Sequence, residues 1–502
     1  MSLPLRPSRV VPRTLPDLAS AIGGQVLGEP RAVAVSGISQ DSRAVLPGDL
    51  YLARAGEKTH GGAFARQAVA AGAVAVLTDA TGVEPAQAAG VPVLLVPDAR
   101  AVAGRAAAAV YGDPVQGLHT VAVTGTNGKT TTTFLVEGGL RAAGAVTGLI
   151  GTIETRVAGE RLPSARTTPE ATDLHALFAV LRERGATAVA MEVSSHALAL
   201  GRVDGVVFDV AGFTNLSQDH LDFHAGLEDY FAAKALLFTP AHARAGVANG
   251  DDPYGRRLVE AGTVPTTAYS LGGQAGWRAS DVRLGPAGST FVVTTPGGEA
   301  LPASVALPGS FNVSNALLAI ALLATGGLDL ETAVAGVAAV AGVPGRMERV
   351  DAGQPYLAVV DYAHTPDAVQ TLLTALRPMT RGRLIAVLGC GGDRDRGKRP
   401  LMGAALARGA DVAVLTSDNP RSEDPVAILA DMTAGVRAAA GRAQVHVEAD
   451  RAAAIAWAVA QARPGDTVVV AGKGHEQGQD IGGIVTAFDD RAVLRTAIGG
   501  AA

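Results

Sequence analysis

The stretch Thr120–Phe134, TVAVTGTNGKTTTTF, decides how the rest of the chain is read. An apolar, strand-like run to Val123 passes through Gly125 and Gly128 and enters a threonine-rich segment that reads as a helix start. A strand that turns through glycines into a helix aims several backbone N–H groups and the positive end of the helix dipole at one point, as polyphosphate binding requires. Lys129 adds a compact positive charge there, and Thr130 a hydroxyl for Mg2+. The pattern departs from GxxxxGK[ST], because the position of its first glycine holds Val123.

Lysine usage singles out the same place. Only five of the 42 basic residues are lysine, at positions 58, 129, 234, 398 and 473. In a chain that otherwise writes arginine, a retained lysine marks chemistry a guanidinium cannot perform, such as compact phosphate contact or modification of a neutral amine.

The chain has 502 residues, too many for one ordinary core, and three domains are expected. With 48% hydrophobic and 18% charged residues it reads as a soluble α/β protein rather than a disordered one. The net charge of −5 gives no support for nucleic-acid binding, so anionic ligands must be held by local groups. The single cysteine, Cys390, leaves no intramolecular disulfide and no thiolate cluster, as in a reducing cytoplasm. Neither a signal peptide nor a membrane span is expected.

Strand and helix patterns divide the chain at 1–112, 113–341 and 342–502. The first region alternates short strands (DLYLARAG, VPVLLVPD) with alanine-rich helices and breaks at Gly112, Asp113 and Pro114. The second carries the phosphate loop, the buried-looking strands ATAVAMEV, VVFDVAGF and AGVANG, and the helix SNALLAIALLATG; residues 263–307 read as antiparallel hairpins. In the third, YLAVVDYA, RLIAVLGC, DVAVLTSD, QVHVEA and DTVVVAGKG alternate with helices, the pattern of a parallel, Rossmann-like sheet. Active groups gather beyond the carboxyl ends of such strands.

Glu192 ends one strand near the phosphate loop and suits a Mg2+ ligand. NLSQDHLDFH crowds Asp219, His220, Asp222 and His224 into a loop fit for metal binding or proton transfer, with Lys234 downstream. Asn249, Asp251 and Asp252, and Asn312 with Asn315, can read a nucleoside or cap helices. Arg346 and Asp361 can close over a nucleotide from the third region. In GGDRDRGKRP, Arg394, Lys398 and Arg399 can hold carboxylate or phosphate, and in SDNPR Arg421 can pair with a carboxylate through two hydrogen bonds.

Taken in order, TGTNGKTTT, MEVSSHAL, NLSQDHLDFH, Lys234, GSFNVSNALLA, GRME, DYAHTPD, GGDRDRGKRP, DNPR and AGKGHE resemble the Mur ligases that build the bacterial cell-wall peptide, most of all the E-type members. Val123 is normal for that family. The resemblance implies an ATP- and Mg2+-dependent, cytoplasmic, monomeric ligase with small-molecule substrates. It would add a diamino acid to the D-glutamate of UDP-N-acetylmuramoyl-L-alanyl-D-glutamate through an acyl phosphate.

Residue by residue, it implies catalytic or metal roles for Lys129, Thr130, Glu192, His220 and a carbamylated Lys234. ATP contacts would come from Thr124, Gly125, Thr126, Asn127, Gly128, Thr131, Asn249, Asn312, Asn315, Arg346 and Asp361. UDP-sugar-peptide contacts would come from Ser42 and His60 in the first domain and from Thr167, Thr168, Ser194 and Arg202. Leu200 departs from a glutamine found in some members. Arg394, Asp418, Asn419, Arg421, Gly472 and Glu476 would hold the amino acid, and DNPR goes with meso-2,6-diaminopimelate rather than lysine or ornithine. A folylpolyglutamate-synthetase-like ligase would leave DSRAVLPGDL, DNPR and KGHE unexplained, and the F-type Mur ligase should lack DNPR. A non-catalytic nucleotide-binding protein would be expected to have lost Glu192, His220 or Lys234.

Overall fold

A computed structural model describes residues 5–29, 33–56, 58–162, 166–221, 223–439 and 441–500; Asp222 lies outside them. Mixed α/β structure with mostly parallel sheets runs throughout.

Near the N-terminus, five strands pair in the order Gln25–Leu27, Val93–Leu95, Ala75–Thr78, Asp49–Ala53 and Gly37–Ser39. Leu50, Leu52, Leu77 and Leu94 pack there against the helices Leu15–Ile22 and Ala103–Tyr111. The second helix stops where Gly112 adopts φ 67°, a left-handed cap that glycine enters without a Cβ penalty.

His119–Thr124 lies inside an eleven-stranded sheet, parallel to Ala188–Glu192 on one side and Phe208–Phe213 on the other. One face packs on the helices Lys129–Ala142 and Ser310–Thr325, and the other on Ala171–Glu183. Coverage on both faces explains why these strands read as continuous apolar runs. It also explains Val123: the strand continues through Thr124, so position 123 is buried β structure, where a branched side chain packs better than glycine.

The expected hairpins between 263 and 307 are present, but they are not a separate layer. Thr266–Ser270 pairs in parallel with Ala243–Asn249, and Trp277–Gly285, Gly288–Thr294 and Ala300–Val305 continue the same sheet as an antiparallel meander. Phe291, Val293, Ala303 and Val305, on its inward face, join the core under the phosphate-loop helix, and that shared burial makes one sheet. The hairpin of Thr155–Val157 and Glu160–Leu162 escaped the sequence reading because its strands are short and carry charge.

Six strands follow in the order Glu348–Arg349, Leu357–Asp361, Thr467–Ala471, Leu384–Cys390, Val412–Ser417 and Gln444–Val447, parallel except for the first. Beneath two of their carboxyl ends Arg451 and Asp490 form a fully buried ion pair at 2.7 Å. Arg451 also donates to the carbonyls of Ser417 (3.1 Å) and Ala471 (2.9 Å), tying both strand ends to one guanidinium. A further hairpin, Gly478–Ile481 with Ile484–Ala487, was not foreseen; Arg421 N–H donates to the Asp480 carbonyl at its base.

Candidate active site

A cleft of about 410 Å³ opens between the phosphate loop and the carboxyl end of the third sheet, lined by both. Gly128, with φ 89°, starts the helix Lys129–Ala142, and a Cβ added to it would stand 2.5 Å from Asn315 Oδ1. Lys129 folds back so that Nζ donates to the carbonyls of Gly125 (3.0 Å) and Thr126 (2.8 Å). Burial lowers its pKa, with Glu192 pulling the other way. The end of the neighbouring strand shapes the loop: Asn127 N–H donates to Asn215 Oδ1 (3.0 Å) and Thr214 Oγ1 donates to the Asn127 carbonyl (2.6 Å). Thr126 through Thr131 line the cleft. Thr124 does not; it is buried in the strand, and its carbonyl accepts from Thr214 N–H.

Glu192 is 1% exposed and accepts from Thr130 Oγ1 (3.0 Å), Thr152 N–H (2.8 Å) and Thr152 Oγ1 (3.1 Å). No group of three or more His, Cys, Asp or Glu among the described residues could hold a metal by itself. A hydroxyl beside one carboxylate at a phosphate site nevertheless fits a hard divalent cation that takes its other ligands from phosphates and water. The sequence reading missed Thr152, whose only signal was its place just after the strand Thr147–Ile150.

His220 adopts φ 54° and sits edge-on to His196, with ring centroids 4.7 Å apart. Burial pushes its pKa down to about 4 against the pull of Asp219, so the ring is neutral at pH 7. Lys234 is 1% exposed; Nζ donates to the Gly125 carbonyl (2.8 Å) and lies 4.4 Å from the Tyr230 ring centroid. Burial, then the neighbouring Lys129, set its pKa well below that of an ordinary lysine. His224 turns away from metal chemistry. Its ring nitrogens meet Ser195 Oγ (3.0 Å) and Asp229 Oδ2 (3.2 Å), and with Ser195 buried and off the cleft this chain braces the loop rather than activating a nucleophile.

Asn249, Asn315, Arg346 and Asp361 line the cleft, whereas Asn312 is buried behind it and donates to the Pro308 carbonyl. Arg346 reaches across to Thr130 Oγ1 (3.1 Å) and packs its guanidinium on the Tyr362 ring at 4.4 Å. Asp361 accepts from the N–H groups of Met347 and Ala363, and burial raises its pKa. Thr167 and Ser194 face the cleft; Thr168 donates to the Glu192 carbonyl behind it, and Arg202 pairs with Glu170. In the N-terminal sheet region, Ser42 donates to Gln67, and His60 caps a helical turn through Gly62 N–H while meeting Asp79 at 3.2 Å.

The residues expected to hold the amino acid, Arg394, Asp418, Asn419, Arg421, Gly472 and Glu476, do not line this cleft. Among them Asn419 Nδ2 donates to Glu476 Oε2 (2.8 Å), and Arg421 donates to the Gly392 carbonyl (2.6 Å) from a left-handed backbone, φ 53°. Arg394 and Arg421 flank Gly391. Arg399 corrects the sequence reading: it is 1% exposed and spent on Glu423 (2.7 Å) and Asp431 (3.0 Å), so it braces the loop instead of meeting a ligand. Gly472 has φ 111°, and a Cβ there would stand 2.7 Å from Asp418 Oδ2. Gly472→Ala should therefore destabilise the protein by about 1–3 kcal/mol, read as a lowered thermal midpoint.

Three family models match: Mur ligase family, catalytic domain, over 34–111; Mur ligase middle domain over 123–323; and Mur ligase, glutamate ligase domain, over 345–474. A protein of Streptomyces coelicolor named "UDP-N-acetylmuramoyl-L-alanyl-D-glutamate--2,6-diaminopimelate ligase" is 60% identical over 499 residues, covering 99% of this chain and 98% of the relative. One of the same name from Corynebacterium glutamicum is 48% identical, covering 96% of this chain and 97% of the relative. A solved structure with that name in its description superposes with a TM-score of 0.70 at 35% identity over 98% of this chain and 99% of that one. A Mycobacterium tuberculosis folylpolyglutamate synthase complexed with ADP shares the fold, with a TM-score of 0.60 at 21% identity over 74% of this chain and 91% of that one. The nucleotide loop and the three sheets are those of an ATP-dependent ligase. This chain belongs to the Mur ligase family.

Proposed function

We propose that this enzyme joins meso-2,6-diaminopimelate to the D-glutamyl carboxylate of UDP-N-acetylmuramoyl-L-alanyl-D-glutamate, using ATP and Mg2+, in peptidoglycan precursor synthesis. The reading is supported by relatives of that activity at 60% identity over nearly the whole chain, and in the geometry by one observation above others. Asn419 donates to the acceptor Glu476, and Arg421, two residues on, carries its guanidinium to the Gly392 carbonyl, a set of donors and an acceptor that suits an amino-acid centre bearing both a carboxylate and an ammonium. Lysine and ornithine lack that second carboxylate and would leave Arg421 unmatched.

The amino-terminal region to residue 112, with Ser42 and His60, would take the uridine end, and 113–341 the nucleotide. Residues 342–502 would take the amino acid, in a monomer of the cytoplasm. Thr167 and Ser194, backed by Thr168 and Arg202, would hold the glutamyl arm so that its carboxylate faces the γ-phosphate. Lys129 and the loop N–H groups neutralise phosphate charge, and Arg346 adds a guanidinium from the opposite wall. Bound at Thr130, Glu192, His220 and the carbamate of Lys234, Mg2+ would supply electrostatic stabilisation of the transferring phosphoryl group. The glutamyl oxygen attacks the γ-phosphorus and ADP leaves, giving an acyl phosphate. The amine of the diamino acid then attacks the acyl carbon and expels phosphate, with closure of the cleft keeping water out.

The test is ATP-dependent phosphate release with the UDP-muramoyl dipeptide and diaminopimelate, lysine or ornithine offered in turn. Diaminopimelate should support release by far the best. Release with lysine or ornithine alone would sink the Arg421 argument, and no release with any would sink the ligase reading.

A further inference from the structure

Lys473 is fully buried, yet it contacts neither the phosphate loop nor the cleft. Its Nζ donates to Asn419 Oδ1 (2.9 Å) and to Glu476 Oε2 (3.0 Å). Lysine carries donors only, so the Asn419 amide must turn its oxygen inward to meet it. Asp480 N–H, from the hairpin base, donates to that same oxygen at 3.1 Å. With Oδ1 engaged twice, the amide nitrogen is turned to the opposite side, where one of its N–H groups reaches Glu476 Oε2. Both donors on Glu476 thus converge on the single oxygen Oε2.

We infer that Lys473 is a positioning residue that sets the polarity of the amino-acid site, fixing Asn419 as a donor and holding the acceptor Glu476 in place. This rests on the proposed diaminopimelate reading. A site with one immovable donor side and one immovable acceptor side distinguishes the two ways an amine and a carboxylate can be placed on a carbon, and hence the configuration of the distal centre. Without Lys473 the Asn419 oxygen keeps only the Asp480 N–H and Glu476 Oε2 keeps only the Asn419 amide, so both groups are held less firmly and the two configurations become closer to equivalent.

The test uses full-length enzyme with ATP, Mg2+ and the UDP-muramoyl dipeptide, and wild type is assayed first so that failure of the ligase reading shows by itself. Lys473→Met should raise KM for meso-diaminopimelate roughly 10- to 100-fold, the scale of a lost charge-assisted hydrogen bond. The ratio of kcat/KM for the meso over the L,L isomer should fall, while KM for ATP stays within about twofold. An unchanged isomer ratio, or an equal rise in KM for ATP, would overturn the inference. Should the methionine variant fail to fold, Asn419→Asp decides. It keeps an oxygen toward Lys473 but replaces the N–H donor on Glu476 by an acceptor, so KM for diaminopimelate should rise by a similar factor with KM for ATP unmoved. Unimpaired diaminopimelate use by that variant would equally overturn the proposal.

Discussion

Lys234→Ala should lower ATP-dependent phosphate release by roughly 100-fold or more, the scale on which single electrostatic contacts to a transition state act. Part of the activity should return when a small carboxylic acid such as acetate is added. A buried ammonium beside a second lysine is unfavourable, and burial, then Lys129, lowers the pKa of Lys234 and so favours the neutral amine, the form that adds carbon dioxide. Such a carbamate would place a carboxylate-like group beside Lys129 and the phosphate loop. Arginine cannot form it, so Lys234→Arg should remain inactive despite its positive charge. Full activity of the arginine variant, or no response of the alanine variant to carboxylic acids, would remove the carbamate from the account.

Asp490→Asn should cost about 3–5 kcal/mol of stability, because it leaves the guanidinium of Arg451 buried without its counter-charge. Urea denaturation of the isolated variant measures this directly. The double replacement Arg451→Met with Asp490→Leu should recover much of the loss, since an apolar pair of similar size carries no desolvation penalty. Its activity should still suffer, because the carbonyls of Ser417 and Ala471 lose the donor that aligns them. A loss below about 1 kcal/mol for the single variant would mean that the charge is compensated elsewhere.

Residue chemistry made part of the site readable in advance. Lys129, Thr130 and Glu192 stand out because a glycine loop, a rare lysine and a strand-end carboxylate each have a narrow chemical use. All three line one cleft. The four central strands of the third sheet, Leu357–Asp361, Thr467–Ala471, Leu384–Cys390 and Val412–Ser417, were legible because both their faces are buried and each carries a long apolar run. What could not be read was partnership across the chain. Arg399 looks like a ligand contact until Glu423 and Asp431, 24 and 32 residues away, close on it. Thr152, Thr214 and Asn215 are ordinary polar residues whose importance comes only from the strand ends that carry them to Glu192 and Asn127. Asn312 and Asn315 look equivalent in GSFNVSNALLA, yet the helix turns one into the cleft and the other behind it. The meander 277–305 was legible as hairpins but not as an extension of the main sheet, because alternation reports which face is buried and not what covers it.

The position of His119–Thr124 inside the large sheet carries a kinetic consequence. Thr120 is held by Asp209, 89 residues later, and Thr130 by Glu192, 62 residues later. Contacts so distant in sequence form only after long loops have closed, which delays them relative to local helices. During refolding, nucleotide affinity should accordingly return late, after most helical signal has been regained. A fluorescent nucleotide would then report completion of the central sheet rather than collapse of the chain.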